Sequence, residues 1–192
     1  GSRAVCAAFK YYIENLIKEN AILQKGHILD EKSWDIEFKG MISQFHKDLK
    51  NNIVKPDLPF ESLAATIILL VYSCDGYMFA HIGDGRAAVR INGDWKTILN
   101  PHKGSEANQT IFCTSQYLGS GEKSRPNLKM SGIYVPETKA VDEQIDGFVL
   151  MSDGCENGAW ITYQKRNLEN GDFIVEDVNL PTEPYSCIIP YH

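Results

Sequence analysis

The sequence predicts an α+β domain in which helices cover one face of an antiparallel sheet. Three features carry that expectation. Two stretches in the N-terminal third repeat apolar residues at helical spacing, four short β-rich runs follow at close intervals, and the runs are separated by CDG, GDGR and NGD. With 192 residues, of which 43% are hydrophobic and 23% charged, the chain holds enough apolar material for the core of one globular domain spanning 1–192.

The first helix is expected from Arg3 to Asn20, where Val5, Phe9, Tyr12, Ile13, Leu16 and Ile17 recur at three-to-four spacing with Ser2 as N-cap. A polar break, ENAILQKGHILDEKS, leads to a second helix over 34–54, its stripe formed by Ile36, Phe38, Met41, Ile42, Phe45, Leu49 and Ile53. Ser33 is the expected cap, and Pro56 and Pro59 the expected stop.

The period then changes. ATIILLVYS (65–73), YMFAHI (77–82), AAVRI (87–91) and WKTIL (95–99) read as a meander, with the first three runs pairing antiparallel. TIFCTSQYL (110–118) and GFVLMSD (147–153) are further strand candidates, and GSGEKSRPNLKMSG between them reads as an exposed loop. After Trp160 the chain is polar and broken by Pro181, Pro184 and Pro190, and only DFIVEDV has a strand-like pattern.

Composition excludes several classes. The net charge is -6 and lysine and arginine do not cluster, so neither a nucleic acid nor a membrane surface is an expected partner. The longest apolar run, AATIILLVY, falls well short of the roughly 20 residues that span a bilayer. Five cysteines without C-x-x-C spacing argue against a disulfide framework and against structural zinc, and the start GSRAVCAAF lacks signal-peptide character. A reducing, cytoplasmic setting is the expectation.

Three aspartates sit before glycine at the ends of apolar runs. Asp75-Gly76 has the form of a two-residue hairpin turn and reads as nothing more. Asp84-Gly85 can be another turn or part of a site. Asp153-Gly154 follows FVLMS, apolar on both faces as a central strand is, so its carboxylate is expected at a sheet rim with glycine allowing close approach. Two acidic ends at one rim would repel unless a hard cation such as Mg²⁺ or Mn²⁺ neutralised them.

Here IGDGRAAV resembles the Gly-Asp-Ser-Arg segment of the PP2C-type metal-dependent Ser/Thr protein phosphatases, and FVLMSDG resembles their Ser-Asp-Gly strand end. RAVCAAFKYYI, the 34–54 helix and SLAATIILLVY stand in the family's order, and NQTIFCTSQ is similar to a strand of its bacterial branch. The resemblance implies a layered β-sandwich flanked by helices and a Mg²⁺ or Mn²⁺ site of two or more ions. It further implies hydrolysis of phosphomonoesters on a phosphorylated protein substrate, with a signalling role.

Carried over residue by residue, the likeness makes Asp153 a direct metal ligand and gives Gly154 the role of backbone clearance. Asp84 matches an aspartate near a peripheral metal position, and Arg86 is assigned a structural role. The family's first acidic motif and its general acid have no counterpart, and Asp177 is a poor match for the last acidic motif, because IVEDV runs into Pro181. His27, His46, His81, His102 and His192 receive no role, nor does Cys155, and Glu156 and Asn157 read as capping residues. Residues 1–192 are therefore read as a single phosphatase-like domain that is either incomplete at both ends or degenerate, and the polypeptide by itself is expected to be inactive or nearly so. Two alternatives stay open beside the enzyme: a phosphatase-like module that binds without catalysis, and a plain β-meander interaction domain.

Overall fold

A computed structural model describes residues 2–53, 63–102, 110–115, 118, 128–136, 144–152, 154–155, 160–168 and 171–181. The fold is mixed α+β, with helices followed by several small antiparallel sheets. The chain divides into two compact units, one formed by 1–83 and 102–139, the other by 84–101 and 140–192.

The first unit opens with helix α1, Ser2–Glu19, which buries Val5 and Phe9 and places Lys18 in its last turn, where a cation suits the helix dipole. Ser2 belongs to the helix and is not its cap. The expected polar break contains a short helix, α2 (Ala21–Gln24), because Asn20 Oδ1 accepts the Ile22 and Leu23 N–H groups at 2.9 and 3.3 Å. Helix α3, Glu31–Asp48, begins three residues earlier than the apolar stripe indicates. Its cap is Asp30, whose Oδ1 accepts the Ser33 N–H at 3.0 Å and whose Oδ2 accepts the Ser33 hydroxyl at 2.6 Å. Those two bonds hold the Asp30 carboxyl below the usual carboxylate range. A π-helical turn, Leu49–Ile53, follows, and the proposed stops Pro56 and Pro59 lie outside the described residues.

Strands β1 (Ile67–Ser73) and β2 (Gly76–Ile82) form the expected hairpin, with Ser73 opposite Gly76. Asp75 sits in its turn, where its N–H donates to Ser73 Oγ and its carboxylate meets His27 Nδ1. The meander stops there. The partner of β2 on its other side is β5 (Ser131–Tyr134), in the order β1-β2-β5. The segment expected as a strand over 110–118 makes a single bridge at Thr110 and then turns, and its residues 116 and 117 lie outside the described set. Phe112 N–H donates to Ser115 Oγ there, a local side-chain bond that competes with a sheet ladder.

The core of this unit joins α1, α3 and the sheet through Val5, Phe9, Trp34, Phe38, Phe45 and Met78, among others. Phe9 packs on Phe38 and Phe45 with ring centroids 5.9 and 5.5 Å apart. Trp34, fully buried, donates from Nε1 to the Phe79 carbonyl at 2.7 Å and so ties α3 to β2. The Ser131 hydroxyl donates to Asp35 Oδ1 at 3.0 Å and ties α3 to β5.

In the second unit β3 (Arg86–Ile91) is central, between β4 (Asp94–Thr97) and β6 (Ile145–Met151). Asn92 and Gly93, both at positive φ, make the two-residue turn from β3 to β4. Among the described residues β6, which holds most of the run FVLMS expected as a central strand, lies at the edge of its sheet, and Leu150 is exposed. A second hairpin, β7 (Trp160–Asn167) and β8 (Phe173–Pro181), contains the strand-like DFIVEDV and pairs it with a polar segment that carries no alternating pattern.

Candidate metal centre

The rim proposed for the site is built by β3 and β6. They pair antiparallel with Arg86 opposite Met151, so the start of one strand lies beside the end of the other. Asp84, half-buried, occupies the bend two residues before β3. Gly154 occupies a turn that follows β6, closed by a bond of 3.1 Å from the Cys155 N–H to the Ser152 carbonyl. Asp153 lies outside the described residues. The register therefore brings the Asp84 bend and the Ser152 end of β6 to the same end of one strand pair. Asp75 belongs to the other unit, in the β1–β2 turn.

Two features hold the Asp84 bend. On its N-terminal side, Gly83 has φ +119°, and a Cβ there would stand 2.3 Å from Thr66 Cγ2 and 2.5 Å from Thr66 Cβ. Only glycine tolerates both the conformation and the contact. Within the same unit as Gly83, the His102 N–H donates to the Gly83 carbonyl at 2.8 Å. On the C-terminal side, Arg86 is buried and its Nη1 donates to Asn179 Oδ1 at 2.9 Å.

Asn179 carries more than this bond. Its Oδ1 also accepts from Trp160 Nε1 at 2.8 Å, and its Nδ2 donates to the Leu99 carbonyl at 2.9 Å and to Asn100 Oδ1 at 3.1 Å. A buried guanidinium is costly unless it is hydrogen-bonded, and this network supplies part of its solvation. An isolated asparagine in a polar tail carries no signal that sequence reasoning could have used.

Gly154 is exposed, and among the described residues a Cβ added to it would meet Ser152 Oγ at 3.9 Å, an ordinary contact. Cys155, beside it, is also exposed. Of the histidines given no role, His81 and His102 are buried and stacked at 3.9 Å, and His46 donates to the Cys113 carbonyl at 2.6 Å. Glu156, Asn157 and His192 lie outside the described residues.

The sequence model of one family, described as Protein phosphatase 2C, matches residues 1–178. The chain belongs to the protein phosphatase 2C family. The match runs from the first helix through most of β8 and takes in both Asp-Gly strand ends. Searches of curated proteins and of solved structures find no match to this protein phosphatase 2C chain.

The family generally depends on Mg²⁺ or Mn²⁺ and acts on phosphoproteins. The donor chemistry at this rim suits such ions, because Asp84 offers oxygen and hard dications take carboxylate and water oxygens. The described donor set is nonetheless short: among the described residues no three His, Cys, Asp or Glu side chains are grouped to hold an ion. Among the same residues no helix is long and apolar enough to cross a membrane.

Proposed function

We propose that this protein phosphatase 2C chain serves metal-dependent hydrolysis of phosphoserine and phosphothreonine on proteins, with Asp84, Asp153 and Gly154 forming its part of a Mg²⁺ or Mn²⁺ centre. The observation that supports this most is the β3–β6 register, with Arg86 opposite Met151, which puts the start of β3 beside the end of β6. Asp153 follows Ser152 directly in sequence, and Asp84 precedes β3 by two residues.

In this proposal the two carboxylates hold and orient the ions, and Gly154 leaves room for a phosphoryl group to approach the backbone. Arg86 keeps the start of β3 in place. When bound, the dications supply charge neutralisation and a water acidic enough to attack phosphorus in line.

A second proposal, a phosphatase-like module that binds phosphoprotein without hydrolysis, is favoured by the sequence, in which Asp177 is a poor match for the family's last acidic motif. One experiment separates them. Mn²⁺ is titrated into the full-length protein with an aryl phosphate as substrate, for wild type, Asp153→Asn and Asp75→Asn. The enzyme proposal expects Asp153→Asn to lose at least about tenfold in turnover, and Asp75→Asn to stay near wild type. Equal rates for wild type and Asp153→Asn at saturating Mn²⁺ would remove Asp153 from the centre. Absence of turnover in the wild type, with retained binding of a phosphopeptide, would establish the module instead.

A further inference from the structure

The Asn179 network goes beyond stabilising a hairpin. All four hydrogen-bonding positions of its amide are used: two lone pairs of Oδ1 accept from Arg86 Nη1 and Trp160 Nε1, and two Nδ2 hydrogens donate to the Leu99 carbonyl and Asn100 Oδ1. Its own backbone carbonyl accepts the Thr97 hydroxyl at 2.6 Å. One residue of β8 therefore fixes the start of β3, the start of β7 and the segment that leaves β4.

Three of the four partners are confined, while Asn100 is exposed. Arg86 is 5% exposed, Trp160 5% and Leu99 3%, so water cannot readily replace the bonds that Asn179 makes to these three. Asn179 is also distinguished by its mixed donor and acceptor set. Aspartate could still accept from Arg86 and Trp160 but could not donate to the Leu99 carbonyl, and alanine could do neither.

We infer that Asn179 is a positioning residue for the rim: it sets Arg86, and through Arg86 the strand start that carries Asp84. This rests on the proposed metal-dependent function for its consequence, but the positioning itself can be measured without it. Amide hydrogen exchange is followed on the full-length protein for wild type, Asn179→Ala and Asn179→Asp, with Mn²⁺ half-saturation of aryl phosphate hydrolysis measured in parallel.

The expected result is exchange at least about tenfold faster over 84–88 in Asn179→Ala, with α3 and β2 unchanged. In Asn179→Asp the 84–88 amides keep wild-type protection while those of 97–100, next to the lost donor, exchange faster. The Mn²⁺ half-saturation should rise about 10- to 100-fold in Asn179→Ala, with KM for the aryl phosphate little changed, and Asn179→Asp should restore most of it.

The inference is overturned by unchanged protection over 84–88 in Asn179→Ala, by a uniform loss across the molecule, or by equal loosening of 84–88 and 97–100 in Asn179→Asp. If Asn179→Ala does not fold, the Asn179→Asp pattern decides alone. A wild type without any Mn²⁺ response would sink the functional proposal while leaving the exchange result to decide the role of Asn179.

Discussion

His102 shows how one buried side chain links pH to the hold on the candidate rim. Its Nε2 donates to the Lys129 carbonyl at 3.0 Å, its ring lies on that of His81, and Nδ1 has no hydrogen-bond partner among the described residues. Protonation would put a second N–H into this buried place and a charge against a neighbouring ring. Burial therefore lowers the pKa of His102, with the Lys129 carbonyl offsetting it in part. A base with a depressed folded pKa binds more protons when unfolded. Its contribution to stability is full above the unfolded value of about 6.5 and is lost as pH falls from there toward the folded pKa. The melting temperature should drop between pH 7.5 and pH 5.5, and His102→Gln should flatten that drop. Identical pH slopes for the two proteins in thermal melts would exclude His102 as the source. The carbonyl of Gly83 is held by the His102 backbone, so the same acidification should loosen the residue preceding Asp84.

At the scale of elements, α3 is the part that organises the first unit. It offers Trp34 to β2, Asp35 to Ser131 of β5, His46 to the 110–115 segment, and Asp48 to the Tyr12 hydroxyl of α1 at 2.5 Å. Burial, then the Asp48 carboxylate, push the Tyr12 hydroxyl well above its ordinary range, so it remains a donor at any physiological pH. Trp34→Phe would remove ring volume from the centre of the core and the donor to the Phe79 carbonyl together. We expect a loss of about 2 kcal/mol in urea unfolding, with helix content in circular dichroism unchanged under native conditions. A loss near zero would mean that α3 is held by its other contacts. The stripe that places α3 was readable, because period-3.6 patterns depend only on neighbours along the chain. Its start was not, since Asp30 and Ser33 are both good caps and their mutual bonds decide between them.

At the scale of the whole molecule, the two units differ in the apolar clusters that their described residues form. Among those residues the first unit has an extensive core running from Val5 to Met130, whereas the second has a cluster of Ala88, Met151 and Trp160 with Trp95 and Val149 against it, and also buries Ala87, Val89, Ile91 and Leu99. The outer part of the β7–β8 hairpin exposes Tyr163, Phe173 and Val175. Apolar burial is the main stabilising term, so local opening should be easiest where it is least. Hydrogen exchange should show strong protection in α3 and β2 and weak protection in β7 and β8. Equal protection throughout would contradict this ranking. The sequence by itself determined the α+β class, the two long helices, the first hairpin and the turn at Asn92-Gly93. All of these rest on local periodicity or on turn chemistry, which neighbouring residues encode. Only the tertiary structure decided that the meander breaks after Ile82, that β2 takes β5 and β3 takes β6 as partners, and that Asn179 reaches Arg86. Those are pairings between distant residues, where SGIY becomes a strand because the open edge of β2 satisfies its backbone groups, not because its side chains alternate.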